Sequence, residues 1–137
     1  MIKYLKLLLL GLPVFLGSCS NCSKESVSPT DTAGKGGNAT LHITPRHHDK
    51  QIDSCTIYVK YNAVDTPANG VFDDSAKCMQ VAGVPIATFS GLRKGKYYLF
   101  GYGWDPSLTP AQHVRGGYAY SLTTETDQNI ELAVSED

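Results

Sequence analysis

The side chains best suited to chemistry in this 137-residue chain are its four histidines and the carboxylates near them. His47 and His48 are adjacent and followed by Asp49, His42 lies five residues upstream, and His113 is distant in sequence. Imidazoles bind zinc or copper when three or four ligands converge, and Asp73 and Asp74 could add oxygen ligands. Neighbouring strand residues point to opposite faces, so His47 and His48 can share an ion only where the chain turns. Pro45 before the pair and Asp49-Lys50 after it are suited to such a turn. A divalent metal site, zinc or copper, requires His47, His48 and a third ligand to converge within a few ångströms. The plainer reading makes them exposed loop histidines without a ligand.

Two further groups carry less specific chemistry. Cys55 and Cys78 are a candidate disulfide if the chain is exported, since that environment is oxidising. Cys55 shares the face of Ile57 and Val59, whereas Cys78 sits opposite the face of Met79 and Val81. A core-crossing bond therefore needs both thiols inward, or a bulge in the chain. Along one later segment Tyr98, Phe100, Tyr102 and Trp104 share a face, while Tyr97, Leu99, Gly101 and Gly103 share the other. If Tyr97 and Leu99 are buried, the opposite face is an aromatic ladder, a candidate glycan-binding surface or an ordinary cross-strand packing face.

The elements that must position these groups begin after a distinct leader. Lys3 and Lys6 make a short positive region, and an apolar stretch runs from Leu7 to Gly17, broken by Pro13. Eleven residues of helix would rise about 16 Å, roughly half a bilayer's hydrocarbon core. That length suits a signal peptide rather than a membrane span. The stretch ends Leu16-Gly17-Ser18-Cys19, which resembles the bacterial lipobox. The resemblance implies cleavage after residue 18, a covalent lipid on Cys19, export, and anchoring to the cell envelope at the outer membrane, with the leaflet left open. Residues 19–37, rich in Ser, Thr and Gly, read as a flexible tether. Residues 38–137 read as one domain of about a hundred residues, enough for a single core.

Without residues 1–18 the chain keeps ten basic and thirteen acidic side chains, a net charge of −3. It has no basic run, which argues against nucleic acid as a partner. From Ala39 onward the hydrophobic period is two. Leu41/Ile43 and Ile57/Val59/Tyr61 alternate with polar neighbours, and β-rich runs follow at Ile86–Phe89, Lys96–Trp104, Gly117–Leu122 and Ile130–Val134. Turn residues separate them, including Pro45, Gly70, Gly83, Gly91, Gly95 and Asp105-Pro106. This pattern predicts an all-β fold, a single antiparallel sandwich of about seven strands.

Within Phe89-Ser90-Gly91-Leu92-Arg93-Lys94-Gly95-Lys96-Tyr97 a strand ends, a glycine-flanked turn reverses the chain and an aromatic strand returns. Leu92 is placed to plug that hairpin. The F-x-G-L-x-x-G-x-Y pattern resembles the transthyretin-like, or prealbumin-like, sandwich group, which includes carboxypeptidase regulatory-like domains. The block from His47 to Tyr61 is also similar to Bacteroidota lipoproteins of that group. The resemblance implies fold far more than function. A hydrolase in the group carries a C-terminal Tyr-Arg-Gly-Ser, whereas this chain ends Ala133-Val134-Ser135-Glu136-Asp137. No G-x-S-x-G elbow or supported Cys/His arrangement occurs either. The sequence thus predicts a non-catalytic, lipid-anchored accessory or protein-interaction module with an envelope protein partner. Metal binding at His47/His48 and glycan binding at Tyr98–Trp104 are the alternatives.

Overall fold

Strict alternation builds the long strands. In β1 (Lys35–His47) the side chains of Ala39, Leu41, Ile43, Pro45 and His47 turn inward while those between them face out. In β7 (Gly95–Asp105) the inward set is Tyr97, Leu99, Gly101, Gly103 and Asp105. These two strands lie in different sheets, and their inner faces supply much of the core together with Ile57, Val59, Phe89, Leu122 and Leu132. The parity of each strand therefore drives its last inner residue, His47 or Asp105, into the space between the sheets.

A computed structural model describes residues 27–137; the expected signal peptide and Cys19 lie outside that range. The protein is all-β, with two sheets packed as a sandwich. In the first sheet β1 is central. On one side it pairs antiparallel with β6 (Val84–Leu92) and then with β2 (Lys50–Gln51), and β5 (Met79–Val81) lies beyond β6. On its other side β9 (Gln128–Ala133) runs parallel to it. The second sheet has the order β10 (Ser135–Glu136), β8 (Gln112–Leu122), β7, β3 (Ser54–Tyr61), β4 (Asp74–Lys77), all antiparallel.

Several sequence expectations need correction. The described residues form ten strands rather than about seven, because β2, β4, β5 and β10 are only two to four residues long and carry no legible alternation. The sandwich is not wholly antiparallel, since β1 and β9 are parallel neighbours. Pro45 does not end a strand. It sits in β1 where pairing passes from β6 to β2, and its carbonyl accepts from the Ile52 N–H at 3.1 Å. A residue without an N–H is tolerated at such a gap. The Gly91–Gly95 turn is not a hairpin: it carries the chain from β6 in one sheet to β7 in the other. Leu92 is fully buried there, as a plug should be.

The sandwich also starts before residue 38. Ala33 is buried, its N–H donates to Asn62 Oδ1 at 2.8 Å, and the Gly34 carbonyl accepts from the Arg93 N–H at 2.9 Å. Gly37 lies so close to the Leu92 carbonyl that a Cβ there would stand 2.2 Å from its oxygen. This segment packs through its backbone, which a composition rich in glycine disguises as tether.

Tyr97 ties the segment down. Its buried hydroxyl donates to the Arg93 carbonyl at 2.6 Å and accepts from the Gly34 N–H at 2.9 Å. Tyr97→Phe should cost about 1–3 kcal/mol, the usual penalty for stranding buried polar groups. Urea unfolding of the two chains measures it, and equal midpoints would show that the hydroxyl does not hold the segment.

Candidate metal centre

The β1–β2 connection is a two-residue turn, His48-Asp49, with His47 paired to Lys50. His48 has φ +50°, a left-handed conformation that histidine adopts more readily than most residues. In a continuing strand the two imidazoles would point to opposite faces. The turn instead brings both to one side, with ring centroids 4.2 Å apart.

His47 is 2% exposed and His48 lies open to solvent. The buried imidazole reaches across to the other sheet, where its Nδ1 is 2.7 Å from Asp105 Oδ2. Asp105 is itself fixed, because its Oδ1 accepts from the Ser107 N–H at 2.8 Å and the Ser107 hydroxyl at 2.6 Å. The third wall comes from the C-terminus. After β9 the chain crosses at Val134, whose N–H donates to the Arg46 carbonyl, and joins the second sheet as β10 beside Val114 and Arg115. This places the Glu136 carboxylate over the histidines, 3.2 Å from His47 Nε2 and 3.8 Å from His48 Nε2. The shorter contact is close enough for an ion pair but not aligned as a hydrogen bond, so Nε2 is a buried nitrogen without a directed partner.

The electrostatics favour a proton on His47 in the metal-free chain. The hydrogen bond to Asp105 raises its pKa, and burial opposes this without cancelling it. The imidazole has almost no accessible surface yet lies at the rim of the sandwich, which explains why burial does not win. Asp105 is lowered to about 2, first by the Ser107 hydroxyl and then by His47. Glu136 is lowered by its own backbone N–H and then by His47.

One ligand atom each from His47, His48 and Glu136 lies within 4.8 Å of the others, the one such trio among the described residues. Ligands about 2.0–2.1 Å from a tetrahedral zinc ion stand roughly 3.3 Å from one another. Glu136 Oε2 already stands at that spacing from His47 Nε2, at 3.2 Å, whereas His48 Nε2 lies 3.8 Å from the other oxygen, so one ion on all three residues requires a small inward shift. A metal-bound histidine commonly gives its other nitrogen to a carboxylate, which fixes tautomer and ring orientation. Asp105 stands in that relation to His47.

The other sequence candidates are elsewhere engaged. His42 Nε2 is 3.9 Å from Asp127, and His113 Nδ1 faces the Gly103 carbonyl while its ring stacks on Tyr102. Asp49 lies exposed in the turn outside the trio. Asp73 accepts from the Tyr61 N–H and Lys60, and Asp74 pairs with Lys35. The aromatic ladder is only half open. Phe72 stacks on Phe100 and Thr66 bonds to the Tyr98 hydroxyl, leaving Tyr102 and Trp104 as the exposed pair. Cys55 and Cys78 are free thiols, and the parity expectation fails for Cys78: Met79 and Val81 face solvent, whereas Cys78 packs against the core.

Sequence reasoning missed Asp105 and Glu136. Asp105 stood in phase with Tyr97 and Leu99, a signal hidden by reading Asp105-Pro106 as a turn. Glu136 gave no local signal, since only the crossing at Val134 delivers it. Compared with known proteins, the chain matches no family model and no curated protein.

The His47–Asp105 pair predicts a pH signature in metal-free protein. Unfolded, these groups titrate near 6.5 and 3.8. His47 binds its proton more tightly when folded, so its stabilisation is complete below pH 6.5 and is lost as pH rises through the raised folded value. The stabilisation from Asp105 is complete above pH 3.8 and is lost as pH falls toward about 2. Melting in chelator should show the pair contributing most between those limits. Asp105→Asn should flatten the alkaline decline; equal declines in both chains would assign it to other groups.

Proposed function

We propose that this protein is a non-catalytic, exported lipoprotein, anchored through lipid on Cys19, whose transthyretin-like sandwich binds one divalent transition metal at the cell envelope. The observation that carries the metal reading is the convergence of His47, His48 and Glu136, with Asp105 behind His47. The lipobox-like Leu16-Gly17-Ser18-Cys19 supports the anchor, and the Phe89–Tyr97 pattern supports the fold family.

The donor set is two imidazole nitrogens and one carboxylate oxygen, which suits zinc or copper. Three protein ligands leave a fourth position for water or for a donor from an envelope protein partner, consistent with an accessory module. Binding must displace the proton from His47 Nε2, so affinity rises with pH until that nitrogen is free. The ligands come from β1, the β1–β2 turn and β10, so the ion would tie the C-terminal strand to the first sheet. A saccharide-binding role is the second reading, carried by the exposed Tyr102 and Trp104 rings, at 38% and 39% exposure.

Zinc should raise the melting temperature of the full chain and bind with one ion per molecule. His48→Ala, at a solvent-facing position, should lower the metal-free melt only slightly, since alanine tolerates the left-handed turn less well, and should abolish the zinc-induced rise. Asp105→Asn should weaken binding by about 10- to 100-fold through loss of the orienting carboxylate. Calorimetric titration of the three chains measures this. Equal zinc affinity in wild type and His48→Ala would exclude the site.

A further inference from the structure

Cys55 and Cys78 meet where the chain changes sheets. Cys55 lies in β3, and Cys78 follows β4 at the point where the backbone leaves the second sheet for β5 of the first. The β3–β4 register ends at Thr56 opposite Lys77, and one step further the Cys78 N–H donates to the Cys55 carbonyl at 2.9 Å. The two cysteines are thus directly opposed across an antiparallel ladder. Opposed residues of this hydrogen-bonded kind have Cα atoms about 5.5 Å apart, within the roughly 4.4–6.8 Å range of disulfides. Both side chains turn the same way, since Cys55 is buried in the core and the half-buried Cys78 packs against it.

We propose that Cys55 and Cys78 form an intramolecular disulfide that staples β3 to the crossover between the two sheets. The site is open to reagents, because both cysteines line a cleft of about 400 Å³ that Lys77, Tyr102, Trp104 and His113 complete. The two thiols are not equivalent. The neighbouring Cys55 lowers the Cys78 thiol against the opposing effect of burial, while Cys55 is raised by Cys78 and by burial. Cys78 is also the more accessible of the two, half-buried where Cys55 is buried, and is therefore the attacking thiolate. It displaces one thiolate from a disulfide oxidant such as oxidised glutathione, giving a mixed disulfide. Cys55 then attacks the Cys78 sulfur, giving its proton to solvent and expelling the second thiolate. Two cysteine thiols are oxidised and one external disulfide is reduced to two thiols.

The bond closes the loop from 55 to 78, which contains Phe72 over the aromatic ladder and the Asp73–Asp74 pair. Shortening the freedom of that loop in the unfolded chain raises stability. The proposal does not depend on the metal reading, and its test keeps chelator present throughout.

The full chain, isolated in detergent and reduced, is treated with excess oxidised glutathione, alkylated, and mapped by mass spectrometry without reduction. The expected product joins the Cys55 and Cys78 peptides, lacks two hydrogen atoms, and melts at a higher temperature than the reduced chain. In Cys55→Ser the expected product is a stable glutathione adduct on Cys78. Alkylation of both native cysteines after oxidation, or linkage of Cys78 to Cys22 or to a second copy, overturns the proposal. Should Cys55→Ser fail to fold, the wild-type map decides alone.

Discussion

A buried imidazole held between two sheets is the constraint around which this end of the molecule is organised. His47 and Asp105 are the polar side chains, among the described residues, that the sandwich encloses most completely. Neither is tolerable there alone, because an unpaired buried charge costs several kcal/mol or forces its own neutralisation. They are made tolerable by each other at 2.7 Å and by the Ser107 backbone and hydroxyl behind Asp105. The pair joins the last inward position of β1 to the last inward position of β7. It therefore ties one sheet to the other where hydrophobic packing gives out. What remains without a directed hydrogen bond is His47 Nε2, which faces the Glu136 carboxylate at 3.2 Å. The left-handed turn delivers His48, and the Val134 crossing delivers Glu136.

This arrangement separates the molecule into two regions of different character. Its interior is ordinary: leucine, isoleucine, valine and Tyr97 alternate inward, and short edge strands close the sheets. Its chemistry lies at junctions where the chain changes direction or sheet. The histidine cluster forms at the β1–β2 turn and the β9–β10 crossing, and the cysteine pair forms at the β4–β5 crossing. Backbone at such points escapes the period of two, so side chains from separate elements can be aimed at one spot. A bound ion and a disulfide would each fasten one of these junctions, at different crossings between the same two sheets.

The all-β class, the long strands and the inward set of β7 were legible because burial of one face imposes strict alternation. The limits of that signal are equally physical. Strands of two to four residues are too short for a period to show, so the strand number was underestimated. The Ala33–Gly37 segment reads as tether in the sequence because it packs by backbone approach, and glycine leaves no hydrophobic trace of that. The glycine-flanked turn looked like a hairpin because sequence records a reversal but not whether the returning strand joins the same sheet. Half of the candidate centre, His47 with His48, was visible as an adjacent pair. Glu136 was not, since a parallel β9 and a crossing at Val134 are long-range facts that no local pattern carries. Asp49, Asp73 and Asp74 were plausible oxygen donors by type, yet none belongs to the trio.

The metal centre is tested most directly by an anomalous difference map from crystals of the protein grown with zinc, collected at the zinc edge. One strong peak is expected within about 2.2 Å of His47 Nε2, His48 Nε2 and a Glu136 oxygen. His47 Nδ1 should still face Asp105. Zinc bound only to other surface groups, with His47 unchanged between Asp105 and Glu136, would contradict that expectation and leave the cluster as an ion-paired clasp between the sheets.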